Sequence, residues 1–183
     1  FTDRPATALR SVAVDVSSRT AVALLRVLCA QWFDIEPTFV TLRPDLPAML
    51  KRCDAALLIG DAALYQEHET NGLDKIDLGY EWTAMTGLPF VWSFWVGRAG
   101  CLDTNHINAL RTARDSGIQN LDQIAEEHAS TEEDDSLAIA KKYLHDNVSY
   151  TLDDRARAGM KRFFSAAADL QIVPSGGKLR YFE

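Results

Sequence analysis

Two short runs of this sequence gather groups that could handle an anionic ligand. Asp15-Val-Ser-Ser-Arg-Thr20 sets the hydroxyls of Ser17, Ser18 and Thr20 around the guanidinium of Arg19. The run stands where the β-rich stretch Ser11-Val-Ala-Val-Asp15 gives way to a helical one, so the unpaired N–H groups of a helix N-terminus converge there as well. Such a junction attracts negative charge, and an arginine adds a bidentate clamp for a carboxylate. The helix dipole alone is worth ~0.3–1 kcal/mol at an exposed site, so Arg19 and the hydroxyls must supply most of the affinity. The plainer alternative is that Ser17 or Ser18 caps the helix and Arg19 points to solvent. The second run is Ile59-Gly60-Asp61, which closes the apolar stretch Ala55-Ala-Leu-Leu-Ile59. Gly60 would let the backbone approach a ligand, and Asp61 could accept its hydroxyl protons. Here the alternative is a turn in which Asp61 caps the segment from Ala62.

Other chemistries find little support. His68, His106, His128 and His145 show no HxxxH or HExxH spacing and sit among polar neighbours, which reads as surface histidine and no metal site. Glu132-Glu-Asp-Asp135 resembles a metal cluster, but consecutive carboxylates opening a helix more often complement its dipole and face water. No GxGxxG follows a strand, no GxSxG elbow is present, and Gly176-Gly177-Lys178 lacks the rest of a phosphate loop. Cys29, Cys53 and Cys101 form no CxxC pair; the first two read as small core hydrophobes.

The elements that must position the two runs alternate. Ser11–Asp15, Pro37–Leu42 and Ala55–Ile59 read as strands. Between them fall a helix whose apolar stripe is Ala21, Val22, Leu25, Leu28, Cys29 and Trp32, and a short helix from Asp45, its N-cap, with Pro47 in its first turn. This βαβαβ pattern predicts an α/β fold with a largely parallel sheet. Ligands of such sheets sit beyond the carboxyl ends of the strands, where both runs fall. Further on, Lys75–Leu78 reads as one more short strand, Tyr80–Thr86 as a helix stopped by Gly87 and Pro89, and Phe90-Val-Trp-Ser-Phe-Trp-Val96 as a long buried strand. From Gly100 to Val173 the sequence reads as helix. Starts are signalled by Asn120-x-x-Gln123, Ser130-x-x-Glu133 and Thr151-x-x-Asp154, and the helical region ends at Pro174-Ser-Gly-Gly177. Its apolar faces are Ile107 and Leu110 with Arg114; Leu137, Ala140, Tyr143 and Leu144; and Met160, Phe163, Phe164 and Ala167.

The chain has 183 residues and a net charge of −7, which argues against binding nucleic acid or a basic membrane-surface role. No apolar run reaches the ~18 residues of a membrane span. Unpaired cysteines favour a reducing, cytoplasmic setting.

Three stretches carry a resemblance. Val12-Ala-Val-Asp-Val-Ser-Ser-Arg-Thr-Ala-Val-Ala-Leu-Leu-Arg26, Asp54-Ala-Ala-Leu-Leu-Ile-Gly-Asp-Ala-Ala-Leu64 and Asp77-Leu-Gly-Tyr-Glu-Trp-Thr-Ala-Met-Thr-Gly-Leu-Pro-Phe-Val91 closely resemble the chorismate dehydratases of the futalosine route to menaquinone. The likeness runs in order from Phe1 to about Leu170. It implies a two-lobed fold like the type II periplasmic binding proteins. It also implies a cytoplasmic, cofactor-independent lyase that converts chorismate to 3-[(1-carboxyvinyl)oxy]benzoate and water. On the family's plan residues 9–88 form the second lobe, 89–96 a crossing strand, and 97–183 the helical remainder of the first lobe. The substrate-binding residues would be Ser17, Ser18, Arg19, Thr20, Gly60 and Asp61, with no metal. The chain shows no well-placed general base; the base would lie on another part of the first lobe or be the substrate's own enolpyruvyl carboxylate.

Two departures bear on this. Val16 stands where many relatives have Thr. Family members also carry a stretch before the position of Phe1 that lines the cleft from the other side. The expectation is therefore either a remnant of a longer protein or a chain that self-associates through the crossing strand and the last helix, whose apolar residues would lack cover. Alone it would bind chorismate poorly and turn it over hardly at all. A non-catalytic solute-binding protein of the same fold, for a small carboxylate, is the alternative reading.

Overall fold

A computed structural model describes residues 1–183 apart from Val16, 67–71, 130–134, Lys178 and Glu183. His68, the Ser130/Glu133 capping signal, the carboxylates Glu132 to Asp134 and the departure at Val16 lie outside the described residues. The chain divides into two compact units: Phe1–Trp92 with Asp154–Gly177, and Ser93–Asp153 with Lys178–Glu183.

The first unit is mixed α/β. Its parallel sheet is formed by β1 (Ser11–Val14), β2 (Thr38–Thr41) and β3 (Ala55–Leu57) in the order β2-β1-β3. Val12 stands opposite Phe39 on one side and Ala55 on the other, and Val14 opposite Leu57. The expected parallel βαβαβ arrangement is therefore present. Asp54 fixes the entry to β3. Its carboxylate accepts the backbone N–H groups of Arg10 (2.9 Å) and Ser11 (3.1 Å), and Arg4 pairs with it at 2.8 Å. These bonds, that from Arg10 foremost, hold the Asp54 carboxyl below its ordinary value.

Both faces of the sheet are covered, as its near-continuous apolar strands require. α1 (Arg19–Gln31) lies on one face, where Ala21, Leu25 and Cys29 pack with Val12, Val14 and Leu57. α2 (Leu46–Leu50), capped by Asp45 through the Ala48 N–H at 2.9 Å, covers the other with Met49 against Ala13, Ala56 and Leu58. Cys29 and Cys53 are buried, and burial pushes the Cys29 thiol up to about 11, which keeps it protonated and unreactive at neutral pH.

α1 differs from the single stripe expected for it. Leu28 joins Ala23, Leu24 and Val27 on a second buried face, and Trp32 is exposed, its indole donating to Glu81 at 2.6 Å. The second face exists because α4 (Leu78–Thr86) and α8 (Asp154–Asp169) pack on α1, burying Trp82, Phe163, Ala166 and Ala167. Leu24, Val27 and Leu28 are fully buried, roughly 1.5–3 kcal/mol each. Phe163 and Met160 are thus covered, contrary to the expectation that the last helix would lack cover. α8 also clasps the turn after α4. Arg155 donates to the Gly87 carbonyl at 2.8 Å, Gly159 lies so close to Pro89 that a Cβ would come within 2.2 Å of its carbonyl oxygen, and Phe163 meets Phe90 edge-on at 5.0 Å. Those three positions recur every fourth residue, one face of a helix.

Two expected strands are absent. Lys75–Leu78 makes no bridge; the nearest, antiparallel between Thr2 and Asp74, precedes it, and Asp77 instead caps α4 by accepting the Gly79 and Tyr80 N–H groups. Residues 90–96 form no strand: none of them pairs with a ladder partner, and Trp95 and Val96 stand 87% and 80% exposed. Apolar content signalled burial there, but a strand needs a partner, and the described residues supply none.

The second unit holds α5 (Thr104–Gln119), α6 (Leu121–His128), α7 (Ser136–Lys142) and a π turn at Tyr143–Asn147. Leu121, Ala125 and Ala140 form its small buried centre, while α5 buries no residue. Asn120 does not cap α6; its amide donates to the Ser116 carbonyl. A reciprocal capping box joins Asp103 and His106 instead. α8 begins at Asp154, so Thr151 is not its cap, and the helix ends at Asp169 with Gln171 left-handed (φ 57°), before Pro174 is reached.

Candidate functional site

The order β2-β1-β3 makes the junction of β1 and β3 the point where successive connections leave to opposite sides, and open α/β sheets bind ligands beyond the carboxyl ends of strands at such a switch. Because Val14 stands opposite Leu57, the segments that follow β1 and β3 emerge side by side. They are the two runs singled out above, Asp15 to Thr20 and Ile59 to Asp61.

At the β1 exit the hydroxyls divide their work. Ser18 is the N-cap of α1, in the extended region (φ −120°, ψ 103°), and its Oγ accepts the Ala21 N–H at 3.1 Å. A cap used as an acceptor keeps its own O–H proton free to donate. Ser17 does not cap. Its backbone N–H and hydroxyl both donate to the Asp15 carboxylate, at 3.0 and 2.5 Å, closing an Asx turn. With that proton committed, Ser17 offers a ligand an acceptor rather than a donor. Arg19 opens α1 on the exposed side and makes no hydrogen bond or ion pair with the described residues, and neither does the half-buried Thr20 hydroxyl. The cationic group of the run is thus unpaired among the described residues.

At the β3 exit Gly60 has φ 60° and ψ −146°, a conformation closed to residues with a Cβ, and its surroundings are open, with nothing within 4 Å of where a Cβ would stand. Its carbonyl accepts the N–H groups of Ala63 and Leu64 at 2.9 Å, starting the one-turn helix α3 (Asp61–Leu64). Asp61 is therefore the first residue of that helix rather than its cap. Its carboxylate is exposed and has no partner among the described residues.

Ser17, Ser18, Arg19 and Thr20 thus follow β1, and Gly60 and Asp61 follow β3, at the same end of the parallel sheet. α1, which carries Arg19 and Thr20 and is capped by Ser18, is held on two faces. Sequence reasoning passed over Asp15 as a member of the site, although an Asp two residues before a Ser is an Asx-turn signal. No group of three or more His, Cys, Asp or Glu that could hold a metal occurs among the described residues. A concavity of about 520 Å³ between Ala168 and Ser175 follows α8 and lacks any such convergence of donors.

Comparison with known proteins supplies the chain's relatives. A family profile described as menaquinone biosynthesis matches residues 1–169. A chorismate dehydratase of Thermus thermophilus is 32% identical over 174 residues, covering 86% of this chain and 63% of that protein. The chain therefore spans a little under two thirds of that relative's length. The profile takes in β1, β3 and both exit segments in a single match, and on that ground the chain belongs to the menaquinone biosynthesis family.

Proposed function

We propose that this chain carries the carboxylate-binding half of a chorismate dehydratase, a hydro-lyase that needs no cofactor and works in the cytoplasm. The observation that supports the reading is Arg19, without a partner among the described residues, at the N-terminus of α1, on the exit of the strand that pairs with β3. The relative named above acts as the same class of enzyme by its name. On this reading residues 9–88 are one lobe of a two-lobed fold like that of the type II periplasmic binding proteins, residues 89–96 cross back, and residues 97–183 belong to the other lobe.

The reaction removes the ring 4-hydroxyl and the hydrogen on C3 of chorismate, releasing water and leaving an aromatic ring. Negative charge that develops at C3 spreads through the ring diene to the ring carboxylate. Arg19, the Ser18 and Thr20 hydroxyls and the helix N–H groups hold that carboxylate, so they stabilise charge as it forms. Asp61, at the neighbouring strand exit, accepts from the 4-hydroxyl, the one hydroxyl of chorismate, and orients it until it leaves. Aromatisation drives the step, so a modest base held near C3, such as the substrate's own enolpyruvyl carboxylate, suffices.

The test is incubation of the natural full-length protein with chorismate, following loss of the diene absorbance and formation of 3-[(1-carboxyvinyl)oxy]benzoate. Turnover that falls sharply in Arg19→Ala is the expected result. Chorismate that binds at Arg19 and returns unchanged identifies a solute-binding protein instead. Chorismate that neither binds nor reacts overturns both.

A further inference from the structure

The two strand exits differ in how firmly they are held. The β1 exit leads into α1, which is packed on two faces. The β3 exit leads into α3, a single turn that buries none of its four residues. A helix so short does not stand without outside support. One support is Ala63, half-buried against the cluster around Met49. The other is Lys75, whose Nζ donates to the Ala63 carbonyl at 2.7 Å. A carbonyl in the last turn of a helix has no partner inside the helix, so the ammonium takes up a group that α3 cannot satisfy itself.

Lys75 is in turn fixed from the other side. Its neighbour Asp74 exchanges two backbone hydrogen bonds with Thr2, at 3.1 and 2.8 Å. Thr2 pairs antiparallel with Ala55 of β3, and its buried hydroxyl donates to the Asp54 carbonyl at 3.0 Å. The backbone beside Lys75 is therefore registered against β3, and the side chain reaches from that anchor to α3. The turn that carries Asp61 is tied to the sheet at both ends, through the chain at Gly60 and through Lys75 at Ala63. The Gly60 end is the weaker tie, because a glycine with φ 60° and open surroundings resists rotation least.

We propose that Lys75 is a positioning residue for the Asp61 carboxylate: by holding α3 to the sheet it fixes where Asp61 meets a substrate hydroxyl. The inference rests on the chorismate dehydratase reading, in which Asp61 orients the 4-hydroxyl. Lys75 itself touches no reacting atom. A group displaced by about 1 Å from its productive position loses on the order of 10²-fold in rate. Losing one of two ties on an exposed turn should cost less, about tenfold.

Two measurements on the natural full-length protein test this. Backbone ¹⁵N relaxation reports on α3 without any substrate. Order parameters at Ala62, Ala63 and Leu64 should fall from about 0.85 toward about 0.6 in Lys75→Met. In Lys75→Arg, which keeps a cationic donor, they should stay near the parent's. Steady-state turnover of chorismate reports the consequence. Lys75→Met should lower kcat/KM about tenfold with the thermal midpoint within about 2 °C, and Lys75→Arg should restore most of the loss. In an Asp61→Asn background the same Lys75→Met change should cost less than about twofold, because the carboxylate it places is gone. A lysine that served only the fold would cost the same in either background. Order parameters unchanged by Lys75→Met, or a loss of turnover that persists in full beside Asp61→Asn, would overturn the proposal. A parent that leaves chorismate unchanged, with α3 loosened in Lys75→Met alone, would refute the dehydratase reading and still support Lys75 as the residue that places Asp61.

Discussion

Gly159→Ala asks whether the close approach of α8 to the Gly87–Phe90 turn governs the stability of the first unit. Propensity alone says the change should help, since alanine in a helix interior is better than glycine by ~0.8–1 kcal/mol. The structure says the opposite. A Cβ at Gly159 would stand 2.2 Å from the Pro89 carbonyl oxygen, a backbone atom that cannot rotate away, whereas an unstrained carbon–oxygen contact is about 3.3 Å. The helix and the turn must therefore separate by about 1 Å. Overpacking of this kind costs ~1–3 kcal/mol. Separation also loosens Phe90 from Trp82 (5.6 Å, edge-on) and Phe163 (5.0 Å), pairs worth ~0.5–1.5 kcal/mol each, and strains the Arg155–Gly87 bond. Setting the propensity gain against these losses leaves a net destabilisation of about 2 kcal/mol.

Urea unfolding, followed by tryptophan fluorescence, to which the buried Trp82 contributes, measures this directly. The midpoint should fall with the slope unchanged. Gly117→Ala on α5, in the second unit, is the control for propensity alone, read by far-UV circular dichroism: nothing lies within 4 Å of its added methyl, so it should stabilise its own helix by up to about 1 kcal/mol. A Gly159→Ala chain more stable than the parent would refute the reasoning, for it would show that the turn yields freely.

Further outcomes follow from the same geometry. Arg19→Ala should weaken carboxylate binding by about 1.5–3 kcal/mol in a calorimetric titration, roughly 10- to 150-fold, yet leave thermal stability within about 0.5 kcal/mol because the side chain holds nothing in place. Ser18→Ala should cost about 1 kcal/mol in a thermal melt through the lost cap, whereas Ser17→Ala should cost α1 little; the reverse order would mean that the cap is misassigned. Asp54 titrates below its ordinary value in the folded chain, so its contribution is full above the unfolded carboxyl pKa and disappears as pH falls through the lowered one. The stability gap between the parent and Asp54→Asn should therefore be constant near neutrality and close below about pH 4; parallel pH profiles would contradict that assignment.

What the sequence disclosed depends on the range of the force concerned. Alternation of apolar runs and polar breaks is a local property, and it located β1, β2 and β3, their parallel order and the caps at Asp45 and Ser18. The switch point, and so the emergence of Ser17–Thr20 and of Gly60 and Asp61 at the same end of the sheet, followed from the same pattern. Long-range packing was not legible. The second buried face of α1 exists only because α8, more than a hundred residues on, returns to it, and spacing within α1 alone could not say which apolar residues face which neighbour. The stretch 90–96 failed for a related reason: its composition specifies a strand, but composition cannot supply a ladder partner. Asp15 was read as part of the motif but not as the group that claims the Ser17 proton, since that depends on where two side chains turn.

The central claim is that the N-terminus of α1 and the exit of β3 together receive a carboxylate. Amide chemical-shift mapping of the isotopically labelled chain during a chorismate titration tests it most directly, because it reports even weak binding residue by residue. The account predicts concerted, saturable shifts at Ser18, Arg19, Thr20, Gly60 and Asp61, lost in Arg19→Ala while the rest of the spectrum is unchanged. Saturable shifts confined to other surfaces, or shifts at these residues that persist without the Arg19 guanidinium, would contradict it.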